Sequence, residues 1–364
     1  MEEKTALERL MDGTSWNEFC DLIKVAGFTI LRDSSPQDPL NRAEGYRYLA
    51  RLTRAGLESF LEHRDPEAPT LHRPVHETVK IGADNPDNYY QNAMISGARE
   101  YRLYGTRGTV SYLGFGTYAG GYGAEGRSAE TGYLEGKDLV VEPDGTVEIR
   151  LSCEKQPGNW LPMEPDTSTL HVRQTFLDRD TETLANLRLV RADGNLTPSP
   201  LTPERVDAGL TMAGRLVVGV ASMFANWAEG FAEQTNKLPP FDPGVSLAAH
   251  GDPNITYFHG YWRVAPDEAL VVEVTPPACD YWNFQLNNHW MESLDYTHHR
   301  ISINKHTARY EDDGSVCLVV AHRDPGAANW LQTAGHDFGT MCFRWIRAAE
   351  QVQPRTRLVK LDDL

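Results

Sequence analysis

Asp144-Gly145-Thr146-Val147, Pro157-Gly158-Asn159-Trp160-Leu161 and Val172-Arg173-Gln174 occur in that order in the middle of the chain. Asp313-Gly314-Ser315-Val316, Pro325-Gly326-Ala327-Ala328-Asn329-Trp330-Leu331 and Phe343-Arg344-Trp345 follow the same order near its end. Gly145 to Trp160 and Gly314 to Trp330 differ in length by one residue, as do Asn159 to Arg173 and Asn329 to Arg344. Upstream, Asn85-Pro86 corresponds to Asp252-Pro253. Landmarks kept in order at near-constant spacing mark an internal duplication. Asp-Gly between alternating runs is a hairpin signal, because Gly accepts φ > 0. Pro-Gly before Asn-Trp-Leu is a second turn, and Trp160 and Trp330 are expected to plug equivalent core positions. Arg173 and Arg344 fall on strands, where a buried guanidinium needs a carboxylate or backbone partner.

Each copy has the size and texture of a β-sandwich or jelly-roll unit. The fold class is therefore mainly β: two tandem related units, an N-terminal helical segment and one long inserted helix. The helical segment covers residues 1–80. Leu7, Leu10, Trp16, Phe19 and Ile23, then Tyr46, Leu49, Leu52 and Phe60, recur near helical spacing. Asp65-Pro66-Glu67-Ala68-Pro69 reads as a linker. The first β unit covers 81–195, a linker and long helix 196–245, the second unit 246–350, and a tail 351–364. In the third segment Val206, Leu210, Ala213, Val217, Val220, Phe224, Trp227 and Phe231 step by alternate fours and threes, which predicts a helix over 203–233. Thr202 and Pro203 suit its start, and Pro239-Pro240 ends it. That face would pack on a sheet of the same chain or form the seam of a homodimer.

Among 364 residues, 51 acids against 35 bases leave a net charge of −16. Such an excess opposes binding to nucleic acid or an anionic membrane. The start Met1-Glu2-Glu3-Lys4 lacks a basic, then apolar, leader. The five scattered Cys read as free, mostly buried thiols in a reducing compartment. The expectation is a cytoplasmic protein.

Several of these stretches resemble the bacterial family called domain of unknown function 1214. They are Gly158-Asn159-Trp160-Leu161-Pro162 with its Arg-bearing strand, Tyr281-Trp282-Asn283-Phe284-Gln285-Leu286 with the long loop to Arg300, and the Asp313-Gly314 hairpin before Asn329-Trp330-Leu331. Asn85-Pro86-Asp87-Asn88-Tyr89 is similar to the companion family numbered 1254. The second copy departs from the usual ending, with Gln332 where Pro is typical. The resemblance spans about residues 85–190 and 250–348. It implies a mostly β architecture and carries no catalytic residue.

The copies differ most between their second strand and the Asp-Gly hairpin, and loops on a scaffold carry function. The later insert holds His289, Glu292, Asp295, Tyr296, His298, His299 and Arg300; with His306 it gathers a third of the chain's 12 histidines. A His paired with Glu292 or Asp295, with Tyr296 or Arg300 stabilising substrate charge, would make an acid–base site. No H-x-H or HExxH spacing supports a metal. The earlier insert is rich in Gly and Tyr. Tyr112, Tyr118, Tyr122 and Arg127, together with Tyr281 and Trp282, are the expected substrate-binding groups. No GxGxxG, GK[ST] or GxSxG context is present, so no organic cofactor is expected. The reading is an enzyme acting on a small organic metabolite by acid–base chemistry; the alternative is a non-catalytic module binding a carbohydrate or hydrophobic metabolite.

Overall fold

The computed structural model describes residues 4–121 and 128–364. At both Asp-Gly sites the aspartate caps the turn: Asp144 accepts from the Thr146 N–H and Asp313 from the Ser315 N–H, each at 2.9 Å. Gly145 and Gly314 take φ of 83° and 80° there. The first unit comprises β1 (Asn88–Met94), β2 (Tyr101–Thr106), β3 (Tyr112–Ala119), β4 (Ala129–Glu135), β5 (Thr146–Ser152), β6 (Trp160–Pro162), β7 (Thr167–Thr175) and β8 (Asn186–Arg191). The second comprises β9 (Ile255–Arg263), β10 (Glu268–Val274), β11 (Tyr281–Leu286), β12 (Ser302–Asn304), β13 (Val316–Ala321), β14 (Trp330–Gln332), β15 (Phe338–Ile346) and β16 (Arg355–Lys360).

Sheet orders β1-β7-β3-β4 and β6-β5-β2-β8 recur as β9-β15-β11-β12 and β14-β13-β10-β16. Adding eight to each strand number converts one unit into the other. Even the parallel pairing of β5 with β6 is repeated by β13 with β14. The duplication is therefore complete at the level of strand order. Residues 351–364, expected as a tail, supply β16, which pairs with β10.

Each unit closes its two sheets on one apolar core. Phe115, Leu151, Leu161 and Val172 meet in the first, and Phe284, Leu318, Leu331 and Phe343 in the second. Each such burial contributes about 1.5–3 kcal/mol. The two motif tryptophans are equivalent but not core residues. On their three-residue strands Leu161 and Leu331 face inward with no exposure, so alternation turns Trp160 and Trp330 outward, where they are half-buried. Their indole N–H groups bond the carbonyls of Ser152 (3.2 Å) and Ala321 (3.0 Å). The neighbouring amides are the true fasteners. Asn159 bridges the backbone of Val140 and Glu148, and Asn329 that of Arg309 and Cys317.

The helices are α1 (Ala6–Met11), α2 (Thr14–Leu31), α3 (Pro39–Leu57, continued by a π turn Glu58–Glu62), α4 (Pro203–Ala232) and α5 (Pro243–Ala248). The predicted long helix is α4, with the Thr202 hydroxyl capping the Arg205 N–H at 3.4 Å. It stops at Ala232, before the prolines, where the Thr235 hydroxyl takes the last carbonyl. Its apolar stripe, with Val217, Val220 and Phe224, joins Ile30 of α2, Leu52 of α3, and Trp290, Met291 and Cys342 of the second unit. Gly214 lets α2 approach: a Cβ there would lie 2.6 Å from Leu22. Helix α4 is long and apolar enough to cross a membrane by length and composition, but half of that stretch is buried in the fold. The five cysteines are unpaired, and only Cys342 is buried.

Candidate functional site

Alternation along the strands gives each sheet an outer face, and two of these faces look toward each other. In the first unit Tyr90 pairs with Arg173 across β1 and β7; in the second Tyr257 pairs with Arg344 across β9 and β15. The Arg–Tyr pair is thus present twice at equivalent register. Both arginines are nine-tenths or more buried. Their partners are exchanged between units. Arg173 donates to the His250 carbonyl, ahead of the second unit, and Arg344 to the Ala83 carbonyl (2.7 Å), ahead of the first. Ala83 and His250 both adopt left-handed φ, 57° and 56°, a conformation uncommon for residues other than glycine, which turns their carbonyls to the guanidinium groups.

The tyrosines opening β3 and β11 repeat the exchange. Tyr112 donates to the Asp252 carboxylate (2.9 Å), with Asn254 at 3.4 Å. Tyr281 donates to Asp87 (2.6 Å) and accepts from the Asn85 amide (3.1 Å). The leader segments read Asn85-Pro86-Asp87 and Asp252-Pro253-Asn254, so acid and amide have traded places while each tyrosine still finds one of each. Gly114 leaves room for this cluster, since a Cβ would sit 2.4 Å from the Tyr133 hydroxyl.

Between the two outer faces and α4 lies a cavity of about 640 Å³, within the size range of small-molecule sites. Arg173, Arg344, Tyr90 and Tyr257 wall one side; Leu216, Trp227 and Phe241 supply an apolar side. Besides His72, three histidines line it. His171 and His250 both lie against the Tyr118 ring, with centroids 4.6 and 4.7 Å away, and Tyr118 accepts from Arg173 at 3.0 Å. Burial, and then the Arg173 charge, pushes His250 down to about 4 and His171 well below its ordinary value. His259 stacks on Phe231 and Tyr257. Burial and then Arg344 push it down to about 3, and its Nδ1 is buried without a hydrogen-bond partner among the described residues. All three imidazoles are accordingly neutral at pH 7. Among the described residues, no group of three or more His, Cys, Asp or Glu side chains is disposed to hold a metal.

The expected catalytic loop does not form one site. His289 is buried away from the cavity, its Nδ1 3.0 Å from the Tyr261 hydroxyl; burial and then Arg32 push it down to about 4. Glu292 is buried and takes Arg51 at 2.6 Å, yet burial outweighs that pair and raises its pKa. Tyr296 stacks under the Lys80 ammonium. Asp295, His298, His299 and Arg300 are exposed. His298 bonds Asp295 (2.8 Å), His299 bonds Gln332 (3.0 Å) and Arg300 bonds the Ala328 carbonyl (2.9 Å). Of the expected binding groups, Tyr112 and Tyr281 hold the leaders, Trp282 fills the second core, and Tyr118 stacks on the cavity histidines. Tyr122 and Arg127 lie outside the described residues.

The model of the family described as protein of unknown function (DUF1214) matches residues 123–176 and 268–350. A putative uncharacterized protein from Burkholderia cenocepacia is 52% identical over 99% of this chain and 100% of its own, with a TM-score of 0.96. The chain belongs to the DUF1214 family. The matched residues hold β7 and β15, and with them Arg173 and Arg344, the family part of the cavity wall. Asn85 to Tyr89, read as similar to family 1254, lies outside the match. The VPA0106 protein from Vibrio parahaemolyticus shares the fold at 11% identity and a TM-score of 0.52, over 93% of this chain and all of its own. No curated protein matches.

His171, His250, His259, Tyr90 and Tyr257 escaped sequence reasoning. The signal was present in the duplicated strand arginines: each sits next to a core residue, Val172 or Phe343, and so faces outward, where a buried charge needs a reason.

Proposed function

We propose that the protein binds a small organic molecule in the cavity between its two sandwich units. The observation that carries this reading is the His259 Nδ1, buried beside the cavity with no hydrogen-bond partner among the described residues. An unmet buried polar atom costs about 1–3 kcal/mol, which a ligand bonded to it would recover. The neutral apolar probe N-phenyl-1-naphthylamine should gain fluorescence on binding and lose it in Leu216→Trp, which fills the apolar side. Equal fluorescence in both proteins would end the reading.

Acid–base conversion of the bound molecule is a second reading, favoured by the neutral His171 and His250 beside Tyr118. It moves the chemistry from the 287–300 loop to the cavity. Returned to the chain in deuterated water, a molecule extracted from the purified protein should gain mass by deuterium uptake in the native chain and not in His171→Asn. An unchanged mass in both would leave binding alone.

A further inference from the structure

Arg173 and Arg344 are the most expensive groups in this cavity wall. Each is a permanent charge taken out of water, and such a charge is normally held by a carboxylate. Neither has one. Arg173 donates to the Tyr118 hydroxyl and a backbone carbonyl, Arg344 to the Asn283 and Gln285 side-chain oxygens and a backbone carbonyl. All of these acceptors are neutral. Each guanidinium has five donors in a planar fork, so N–H groups remain on both. Tyr257, whose ring lies 5.7 Å from the Arg344 guanidinium carbon, also lines the cavity, and its hydroxyl makes no hydrogen bond to the described residues. The opposite side, with Leu216, Trp227 and Phe241, is mainly apolar, with Arg215 of α4 also on the wall.

Resting on the cavity-binding reading, we infer that the ligand is an amphipathic organic carboxylate. Its acid group is held by the Arg173 and Arg344 forks with the Tyr257 hydroxyl, and its apolar body lies along α4. A guanidinium fork matches a carboxylate in two parallel hydrogen bonds, and charge-assisted bonds in a water-poor site are the strong ones. A cationic or purely neutral ligand would leave the remaining N–H groups of both forks without a charged acceptor. The duplication explains how two such forks face one cavity: one Arg–Tyr pair copied and opposed.

Three ten-carbon probes and one small anion test this on the full chain by calorimetry: decanoate, decan-1-ol, decylammonium and inorganic phosphate. Decanoate should bind at least ten-fold tighter than decanol, and decylammonium more weakly than either. Phosphate alone should bind weakly, for lack of the apolar body. Because Arg173 and Arg344 also hold the leaders, their removal would threaten the fold, so Tyr257→Phe is the informative variant. It should weaken decanoate about five- to ten-fold and leave decanol unchanged. Decanol binding as tightly as decanoate overturns the carboxylate and leaves cavity binding intact. Decanoate that binds without displacing N-phenyl-1-naphthylamine overturns the placement. If neither decanoate nor the naphthylamine probe binds, both readings fall.

Discussion

The β3–β4 and β11–β12 connections join corresponding strands in two copies of one frame, and in the second copy residues 287–301 are buried for most of their first half. Asn288 ties that segment together, its side-chain oxygen accepting from the Trp290 and Glu292 N–H groups. The segment then grips the helical layer. Trp290 bonds the Asn41 carbonyl at 2.9 Å, Glu292 pairs with Arg51, and Asn288 reaches Glu44, which His336 also bonds at 2.9 Å. The second unit's insert thus holds a layer of helices. Of its crowded histidines and carboxylates, Glu292 serves that attachment, while His298 and His299 are exposed.

The largest expected effect is at the centre of that grip. Trp290→Ala should cost about 3–5 kcal/mol in denaturant unfolding, as a fully buried indole is deleted. Gly45→Ala should cost about 1–3 kcal/mol from the opposite direction, since the new Cβ would lie 2.8 Å from the Trp290 ring. A loss below 1 kcal/mol for Trp290→Ala would break the comparison.

Next come the exchanged tyrosines, where the copies should agree. Tyr112→Phe and Tyr281→Phe each remove a hydrogen bond to a buried carboxylate, worth about 1.5–3 kcal/mol. Losses differing by more than a factor of two would show that the two crossings are not energetically equivalent.

A smaller effect separates two histidines of the attachment region by pH. Burial works against charge at His336, but the Glu44 carboxylate wins and raises its pKa above 6.5. Its stabilisation is full below pH 6.5 and is lost as pH rises through the folded value. His289, held at about 4, stabilises above pH 6.5 and loses that contribution as pH falls from 6.5 to about 4. Urea midpoints from pH 4 to 9 should therefore lose their alkaline decline in His336→Gln and part of their acid decline in His289→Asn. Smallest of all, His298→Ala and His299→Ala should stay within about 0.5 kcal/mol of the native chain, because both side chains are exposed. A thermal shift equal to that of Trp290→Ala would return the outer half of the loop to importance.

What was legible in the chain was local. The Asp-Gly turns, the α4 stripe and the paired landmarks each need only a few neighbouring residues, and each leaves a periodic trace. Trp160 and Trp330 were misassigned because a three-residue strand is too short for alternation to tell its two faces apart, and size alone favoured the indole for the core. The cavity wall was hidden for a different reason. Arg173 and Tyr90 meet through register, and Arg173 meets His250 through the approach of the other unit; neither distance is written along the chain. Tyr112 and Asp252 belong to different units, so no pattern within one copy could join them.

The exchanged leaders bear on how the molecule comes apart. Tyr112 and Arg173 clasp the segment entering the second unit, while Tyr281 and Arg344 clasp the segment entering the first. Melting either sandwich releases the strand entry of the other and strands a buried charge. The two halves, though each has its own core, are bound to lose structure together, as a single cooperative transition in calorimetry. Severing the chain between them would yield two fragments that recover order only when mixed.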